Sequence, residues 1–205
     1  MSSTIYIVDD DVSVNRALAI LLKAHNFNVK TFVCAKDFLA SKRLKTSACL
    51  VLDVSLPEMD GITLQKEMTD RQLTIPIVFI TGHGDIPMSV KAMKGGAVDF
   101  LTKPFTDTDL LEAISRAISK DKTQNKDQAE ISSIKLRMGT LSPRELEVFK
   151  LVAKGMLSKQ VAYKRGVSLQ TIKVHRGRVM KKMQAETVTE LIHFAEKAGV
   201  ISSKN

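Results

Sequence analysis

The stretch CLVL at residues 49–52, closed by Asp53, decides the fold of the first half of the chain. Similar short apolar runs accompany it: IYIV (5–8), VKTFV (29–33), IVFI (77–80) and AVDFL (97–101). Apolar runs of this length, bounded by polar segments, are typical of strands that a parallel sheet buries on both faces. The runs therefore predict a sheet of five strands.

Helical periodicity fills the segments between these runs. Two longer helices are predicted over 13–25, with Val14, Leu18, Leu21 and Leu22 on one face, and over 107–118, with Leu110, Leu111, Ile114 and Ile118 on one face. Shorter helices fit 35–41, 61–70 and 86–94. Strands alternating with helices in this way imply an α/β doubly wound parallel sheet.

Reactive side chains close four of the five runs: Asp9 and Asp10, Asp53, Thr81, and Lys103 just before Pro104. The carboxyl ends of parallel strands open at one edge, where such sheets place their sites. Crowded carboxylates favour a hard divalent cation, and magnesium typically takes one or two carboxylates together with phosphate oxygens and water. Beside such a metal, one carboxylate can act as a nucleophile toward a phosphoryl group.

Length and composition limit the class of protein. A chain of 205 residues suits two domains. No apolar run approaches the roughly 20 residues that span a bilayer, and the N-terminus lacks a basic segment followed by an apolar one, so no membrane partner and a cytoplasmic location are expected. Cys34 and Cys49 are interpreted as buried reduced thiols, and the scattered histidines predict no zinc site.

Charge divides the chain sharply. Residues 1–118 carry 13 Lys+Arg against 14 Asp+Glu, a net charge of −1, whereas residues 119–205 carry 18 against 8, a net charge of +10. Such asymmetry indicates a nucleic acid or another polyanion as partner, with a solvated basic surface as the alternative.

Composition also predicts the domain limits. The first domain covers 1–119, and the polar segment 120–139 suits a connector or a solvated extension of the preceding helix. From residue 140 to 205 the pattern is purely helical, and Ser142-Pro143-Arg144-Glu145 carries the cap, the N1 proline and the acid that begin a helix. Four helices are predicted, over 142–154, 158–165, 168–183 and 187–198.

The third of these helices has a core face and a basic face. Ile172, Val179 and Met183 recur at helical spacing and are expected to face the core. The opposite face carries Gln170, Lys173, Val174, Gly177, Arg178 and Lys181. A basic face alone is usually solvated surface, but a short helix and a tight turn before it give the layout of a recognition helix.

The first domain resembles the receiver domain of two-component response regulators over about residues 3–119. The matching stretches are VDDD (8–11), LVLDVSLPEMDG (50–61), FITGHGD (79–85) and FLTKPF (100–105). The resemblance implies a flavodoxin-like sheet of order 2-1-3-4-5. It also implies that Asp53 accepts a phosphoryl group from a sensor histidine kinase.

The same resemblance implies roles for the neighbouring residues. Asp10, Asp53 and the backbone carbonyl of Ser55 would hold Mg²⁺, with Asp9 assisting and Lys103 contacting the phosphoryl oxygens. Thr81 would move toward the phosphoryl group, and Phe100 would fill the space it leaves; ordinary core packing is the alternative for Phe100. A cis Lys103–Pro104 bond is also implied. Ser55 and His83 are hypothesised to tune hydrolysis of the phosphoaspartate.

The second domain resembles the LuxR-type helix-turn-helix over about 141–198. The strongest matches are LSPRE (141–145), Gly155, Lys159 with Val161-Ala162, and TIKVH (171–175). Both halves together are similar to the NarL/FixJ family of response regulators, nearest to its FixJ branch. That resemblance implies Lys173 and Val174 at base edges. The other implied DNA contacts are Lys159, Gln170, Thr171, Arg176, Arg178 and Lys181.

Two positions depart from the family pattern. Arg165 stands where relatives usually have a buried leucine. Either its stem lies along the core with the head in water, or the helix is locally reoriented. Gly177 offers the DNA-facing surface no base-reading group, so a relative's site preference is not transferable.

The resulting prediction is a phosphorylation-activated transcriptional regulator that turns over no separate substrate. Phosphorylation would release DNA binding and expose a dimerising face around residues 86–105, and the homodimer would bind promoter DNA with RNA polymerase as a further partner. Two alternatives stay open: an aspartyl-phosphate phosphohydrolase, although Ser55 supplies no general acid two residues after Asp53, and a DNA-binding adaptor independent of phosphorylation.

Overall fold

A computed structural model describes residues 3–41, 47–82 and 85–201. The chain forms two compact units, Met1–Asn125 and Lys126–Asn205. In the part of the chain that is described, no helix is both long and apolar enough to cross a membrane.

The first unit is a parallel sheet with helices on both faces. Its strands are β1 (Thr4–Val8), β2 (Asn28–Phe32), β3 (Ala48–Asp53), β4 (Ile77–Thr81) and β5 (Asp99–Thr102). The helices between them are α1 (Val12–Ala24), α2 (Ala35–Ala40), α3 (Gly61–Asp70) and α4 (Ile86–Lys94). Among the described residues the strand order is β2-β1-β3-β4-β5, all parallel, which confirms the predicted fold.

Strand side chains alternate between two cores. On one face Tyr6, Leu50 and Phe79 pack with Phe38 and Leu64 of α2 and α3. On the other face, the helices α1 and α5 (Asp107–Gly139) cover the sheet. Their residues Leu18, Leu22, Leu110 and Ile114 pack against strand residues Ile5, Ile7, Val51, Val78 and Ile80. Every residue of β1, β3 and β4 is buried, which explains why these strands read as unbroken apolar runs.

The helix α5 runs from Asp107 to Gly139 and passes through the division between the units. The sequence allowed two interpretations of segment 120–139, a connector or an extension of the preceding helix. In the structure this segment lies within α5. Its last part belongs to the second unit, where Ile134 is fully buried in the helical core.

The described residues of the second unit form helices joined by short turns. After the end of α5 come α6 (Pro143–Ala153), α7 (Ser158–Arg165), α8 (Leu169–Met183) and α9 (Val188–Lys197). The predicted capping box begins α6: Ser142 accepts from the backbone of Glu145, and Glu145 accepts from the backbone of Ser142. Gly166, in the left-handed conformation at φ 62°, ends α7 and makes the turn into α8. The α8 residues Ile172, Val179 and Met183 are buried, as predicted.

Candidate functional sites

A buried acidic pair lies at the carboxyl edge of the sheet. Asp9 follows β1 and is 1% exposed, and Asp53 ends β3 and is 4% exposed. Lys103, just after β5, reaches both carboxylates: its Nζ lies 2.7 Å from Asp9 Oδ2 and 2.9 Å from Asp53 Oδ1. Three residues widely separated in sequence thus converge, as the strand-end argument predicts.

Backbone groups fix the orientation of each carboxylate. The Ser55 N–H donates to Asp53 Oδ2 at 2.7 Å, and the Asp11 N–H donates to Asp9 Oδ1 at 2.9 Å. The Lys103 N–H donates to the Thr81 carbonyl at 2.7 Å, which ties the end of β5 to β4. The Lys103–Pro104 peptide bond is cis. Hydrogen bonds from the backbone and from Lys103 therefore fix the orientation of both carboxylates.

Asn15 supports the site from α1, and the sequence analysis missed it. Its Nδ2 donates to the carbonyl of Asp9 at 2.6 Å and to the carbonyl of Phe32 at 3.1 Å, so one buried amide holds the ends of two strands. The only sequence signal was a polar residue on the apolar face of a predicted helix. Such a residue needs a buried partner, which the strand ends provide.

The Lys103 ammonium remains strongly basic. Partial burial alone would lower its pKa, but hydrogen bonds to Asp9 and Asp53, together with their charges, outweigh burial and raise the pKa. The side chain is 26% exposed, so the cation sits at the mouth of the pocket. It remains protonated at neutral pH and can contact an incoming anion.

The other predicted pocket residues that the structure describes lie on or just after β1, β3, β4 and β5. Asp10 and Ser55 are exposed, and Thr81 is fully buried at the end of β4. Phe100 is half-buried on β5, with its ring centroid 6.3 Å from that of Phe79. His83 lies outside the described residues.

Oxygen donors make this edge chemically suited to magnesium. Asp9 and Asp53 supply buried carboxylates at this edge, Asp10 follows Asp9 directly in sequence, and Ser55 follows Asp53 by two residues. Across the described ranges, no group of three or more His, Cys, Asp or Glu side chains is arranged to hold a metal. Magnesium requires only one or two carboxylates when phosphate and water complete its shell, so the donor set fits.

In the second unit, α8 exposes the predicted basic face. The exposed residues of this face are Gln170, Lys173, Val174, Gly177, Arg178 and Lys181. Thr171 and, on α7, Lys159 are exposed as well. Val174 is 44% exposed despite its apolar side chain. Arg176 is half-buried instead, and its Nη1 donates to Ser158 Oγ at 3.2 Å, which ties α8 to the start of α7.

Two interactions that support this face were not predicted. Lys182 Nζ lies 2.6 Å from Glu145 Oε2, so the buried acid of the capping box also pairs with α8. Arg137 near the end of α5 donates to the carbonyl of Met183 at 2.7 Å, and its guanidinium carbon lies 4.8 Å from the Phe194 ring centroid. These contacts of Lys182 and Arg137 join residues that are distant in sequence, and the periodicity of a helix does not reveal such contacts.

Arg165 and Gly177, the two positions that depart from the family pattern, are both exposed. Arg165 is exposed at the last position of α7, and its guanidinium pairs with Glu147 of α6. A Cβ on Gly177 would meet no atom within 4 Å, so this position on α8 is open.

Comparisons with known proteins agree with both halves. Residues 5–115 match the family described as response regulator receiver domain, and residues 139–195 match the family described as bacterial regulatory proteins, luxR family. Nodulation protein W of Bradyrhizobium diazoefficiens is 45% identical over 96% of this chain and 86% of its own length. The transcriptional regulatory protein FixJ of Rhizobium meliloti is 41% identical over 96% of both chains.

Solved structures agree as well. The response regulator StyR is 41% identical, covers 96% of this chain and 100% of its own, and gives a TM-score of 0.83. Full-length FixJ from B. japonicum is 41% identical, covers 97% of this chain and 98% of its own, and gives a TM-score of 0.58.

The acidic pair at the sheet edge and the exposed basic face of α8, together with these matches, define a class of regulator with a receiver and a DNA-binding unit. The chain belongs to the two-component response regulators that join a receiver domain to a LuxR-type DNA-binding domain.

Proposed function

We propose that this regulator binds promoter DNA in response to phosphoryl transfer from a sensor histidine kinase to Asp53. The observation that carries the proposal is the bridge from Lys103 to both Asp9 and Asp53 at the edge of the sheet. Asp53 is held by the Ser55 N–H on Oδ2, so Oδ1, which now accepts from Lys103, is the oxygen expected to attack phosphorus.

In this reaction the carboxylate oxygen of Asp53 forms the new O–P bond as the bond from phosphorus to the donor's imidazole nitrogen breaks. Lys103 would follow the negative charge from the carboxylate to the phosphoryl oxygens. Asp10, Asp53 and the Ser55 carbonyl would hold Mg²⁺, with Asp9 assisting indirectly, and the bound metal would neutralise charge on the phosphoryl group. The pocket would then be an input switch that reacts once per signal.

The switch itself would use Thr81 and Phe100. A phosphoryl group adds acceptor oxygens and negative charge, which favour a conformer in which the Thr81 hydroxyl turns toward the modified Asp53. Phe100 already packs against Phe79 at the next strand, so it lies where a change at the end of β4 alters its packing. Population of this second conformer would be the output of the receiver.

A dimerising face is supported by apolar side chains on α4. Ile86 is 80% exposed, Val90 44% and Met93 46%, and they recur about one helical turn apart. Exposed apolar residues in one stripe favour association with another surface. We propose that the phosphorylated chain forms a homodimer here, which would place two recognition helices on paired half-sites.

On DNA, Lys173 and Val174 would approach base edges. Lys159, Gln170, Thr171, Arg178 and Lys181 are exposed and could reach phosphates, and Arg176 would act partly by holding α7 against α8. RNA polymerase is the expected further partner at the promoter.

Footprinting on genomic promoter fragments tests the proposal. The full chain is compared with and without a small-molecule phosphodonor, and Asp53→Asn serves as the control that cannot accept the phosphoryl group. Protection should strengthen at least tenfold with the phosphodonor, a typical allosteric coupling, and stay at the resting level in the variant. Equal protection in all samples would remove phosphorylation control. Equal strengthening in the variant would remove Asp53 as acceptor.

A further inference from the structure

A cavity of about 200 Å³ lies within the second unit, between α6, the α7–α8 turn and α8. Its apolar lining comes from Val148, Val167 and Ile172, which belong to the core of this unit or pack against it. Dry cavities of about 150 Å³ with apolar walls accept a benzene ring. The space is therefore large enough for one small ring or a short branched chain.

The polar lining of this cavity is cationic. Arg144 and Arg165 both line it, and Glu147 is the acid beside them. Arg165 pairs with Glu147, whereas Arg144 has no ion-pair partner within residues 3–41, 47–82 and 85–201. One positive charge is thus left over at the cavity, and a planar guanidinium favours a carboxylate or phosphate as partner.

His175 adds a polar ring to the lining of the cavity. His175 lines the same cavity, and its Nδ1 is buried with no hydrogen-bond partner among the described residues. Because Nδ1 has almost no accessible surface, it does not face the open space of the cavity, and only the rest of the ring is available to a ligand. A half-buried imidazole beside two guanidinium groups adds to the polar side of the cavity, where an anionic group would lie.

From these features we propose that the cavity binds a small monocarboxylate with an apolar body, such as an aromatic acid of one ring. The carboxylate would lie against Arg144, Arg165 and His175, and the ring would pack on Val148, Val167 and Ile172. The site is separate from the phosphoryl-accepting pocket, and it borders the proposed DNA-facing surface at Thr171. It does not depend on the proposed phosphorylation switch or on DNA binding.

Benzoate is a suitable probe, with benzylamine and inorganic phosphate as matched controls. The full chain, labelled with ¹³C at methyl groups and ¹⁵N at histidine, is titrated by NMR. Benzoate should give saturable shifts at the Val148, Val167 and Ile172 methyls and at the His175 ring nitrogens, with a dissociation constant of roughly 1 mM for so small a ligand. Benzylamine has the same ring with the opposite charge, and phosphate lacks the apolar body, so both should bind at least tenfold more weakly.

Two variants connect the binding to the cavity. Arg165→Leu removes one guanidinium, and Arg144→Leu removes the other, which is exposed and forms no ion pair within the described ranges. Each change should weaken benzoate binding at least fivefold. Lys164→Leu removes an equal charge from the neighbouring α7 position outside the cavity and should leave the affinity within twofold. The proposal is overturned by unsaturable shifts, by equal binding of benzylamine, or by unchanged affinity in the Arg144→Leu protein.

Discussion

Gly61 protects the proposed phosphoryl acceptor by having no side chain. A Cβ built there would lie 2.5 Å from the carbonyl oxygen of Asp53 and 3.1 Å from the Phe79 ring. We predict that Gly61→Ala displaces Asp53, because the backbone oxygen cannot rotate away as a flexible side chain could. The variant should lose about 1–3 kcal/mol of unfolding free energy and accept phosphoryl groups more slowly.

Chemical denaturation and labelling with a small phosphodonor measure both effects. Gly82→Ala is the stability control, because a Cβ at Gly82 meets nothing within 4 Å. It should change the unfolding free energy by less than about 0.5 kcal/mol. Equal stability of the two variants would contradict the close-approach argument.

Glu145 makes the stability of the second unit dependent on acid. Its hydrogen bond from Lys182, then the one from the Ser142 N–H, lower its pKa from 4.5 to about 2. A depressed pKa means that the folded state favours the carboxylate, so the stabilisation is complete above pH 4.5 and is lost as the pH falls toward 2. Glu145→Gln should reduce stability at neutral pH and flatten the pH dependence between these values. Denaturation monitored by circular dichroism at several pH values is the measurement, and an unchanged slope in the variant would refute it.

Asp121 differs from Glu145 because its pKa is raised in the folded protein instead of lowered. This carboxylate is 4% exposed, accepts from the Ala48 N–H at 3.0 Å and from Asn125 at 2.6 Å, and burial raises its pKa in spite of these bonds. Asp121→Asn keeps an acceptor for Ala48 and removes the charge, so at pH 7 it should match or exceed the native stability. Asp121→Ala leaves the Ala48 N–H unpaired and should cost about 1–3 kcal/mol. Urea titration of both variants distinguishes charge from hydrogen bonding.

At the level of elements, local patterns predicted more than long-range contacts. The strands were predictable because β1, β3 and β4 are buried on both faces, and the start of α6 because Ser142 and Glu145 cap it within one turn. The convergence of Asp9 and Asp53 followed from the sheet rule alone. Asn15 and Arg137 were missed, because their partners are backbone carbonyls that no sequence spacing marks.

The end of α5 should stabilise the helical unit. Ile134 is fully buried there, Arg137 bonds the Met183 carbonyl, and Glu130 lies 2.6 Å from Lys197. The unfolding free energy of a fragment covering 126–205 should therefore be larger than that of a fragment covering 140–205, by on the order of 3–5 kcal/mol. Most of this difference should come from Ile134 and Arg137. Parallel urea titrations compare them. Identical midpoints and slopes would mean that these contacts add nothing.

Across the whole molecule, charge separates signal reception from DNA binding. Residues 1–118 carry a net charge of −1 and residues 119–205 carry +10, so the phosphate contacts should come from the second part alone. Each phosphate neutralised lowers the slope of log affinity against log salt by about 0.9. The salt slope per protomer should therefore be the same for fragment 126–205 and for the phosphorylated full chain. Phosphorylation would change the affinity through the conformational equilibrium without adding phosphate contacts.

Single substitutions on α8 sharpen this prediction, because base contacts and phosphate contacts respond differently to salt. Lys181→Ala should weaken all sequences alike and reduce the magnitude of the slope by about 1, as expected for a lost phosphate contact. Lys173→Ala should cost about 1–3 kcal/mol at one base position and alter the preference there. Fluorescence anisotropy over a salt series measures both. A steeper slope for the full chain than for the fragment would place additional phosphate contacts outside residues 126–205, and the charge division would then not separate the two functions.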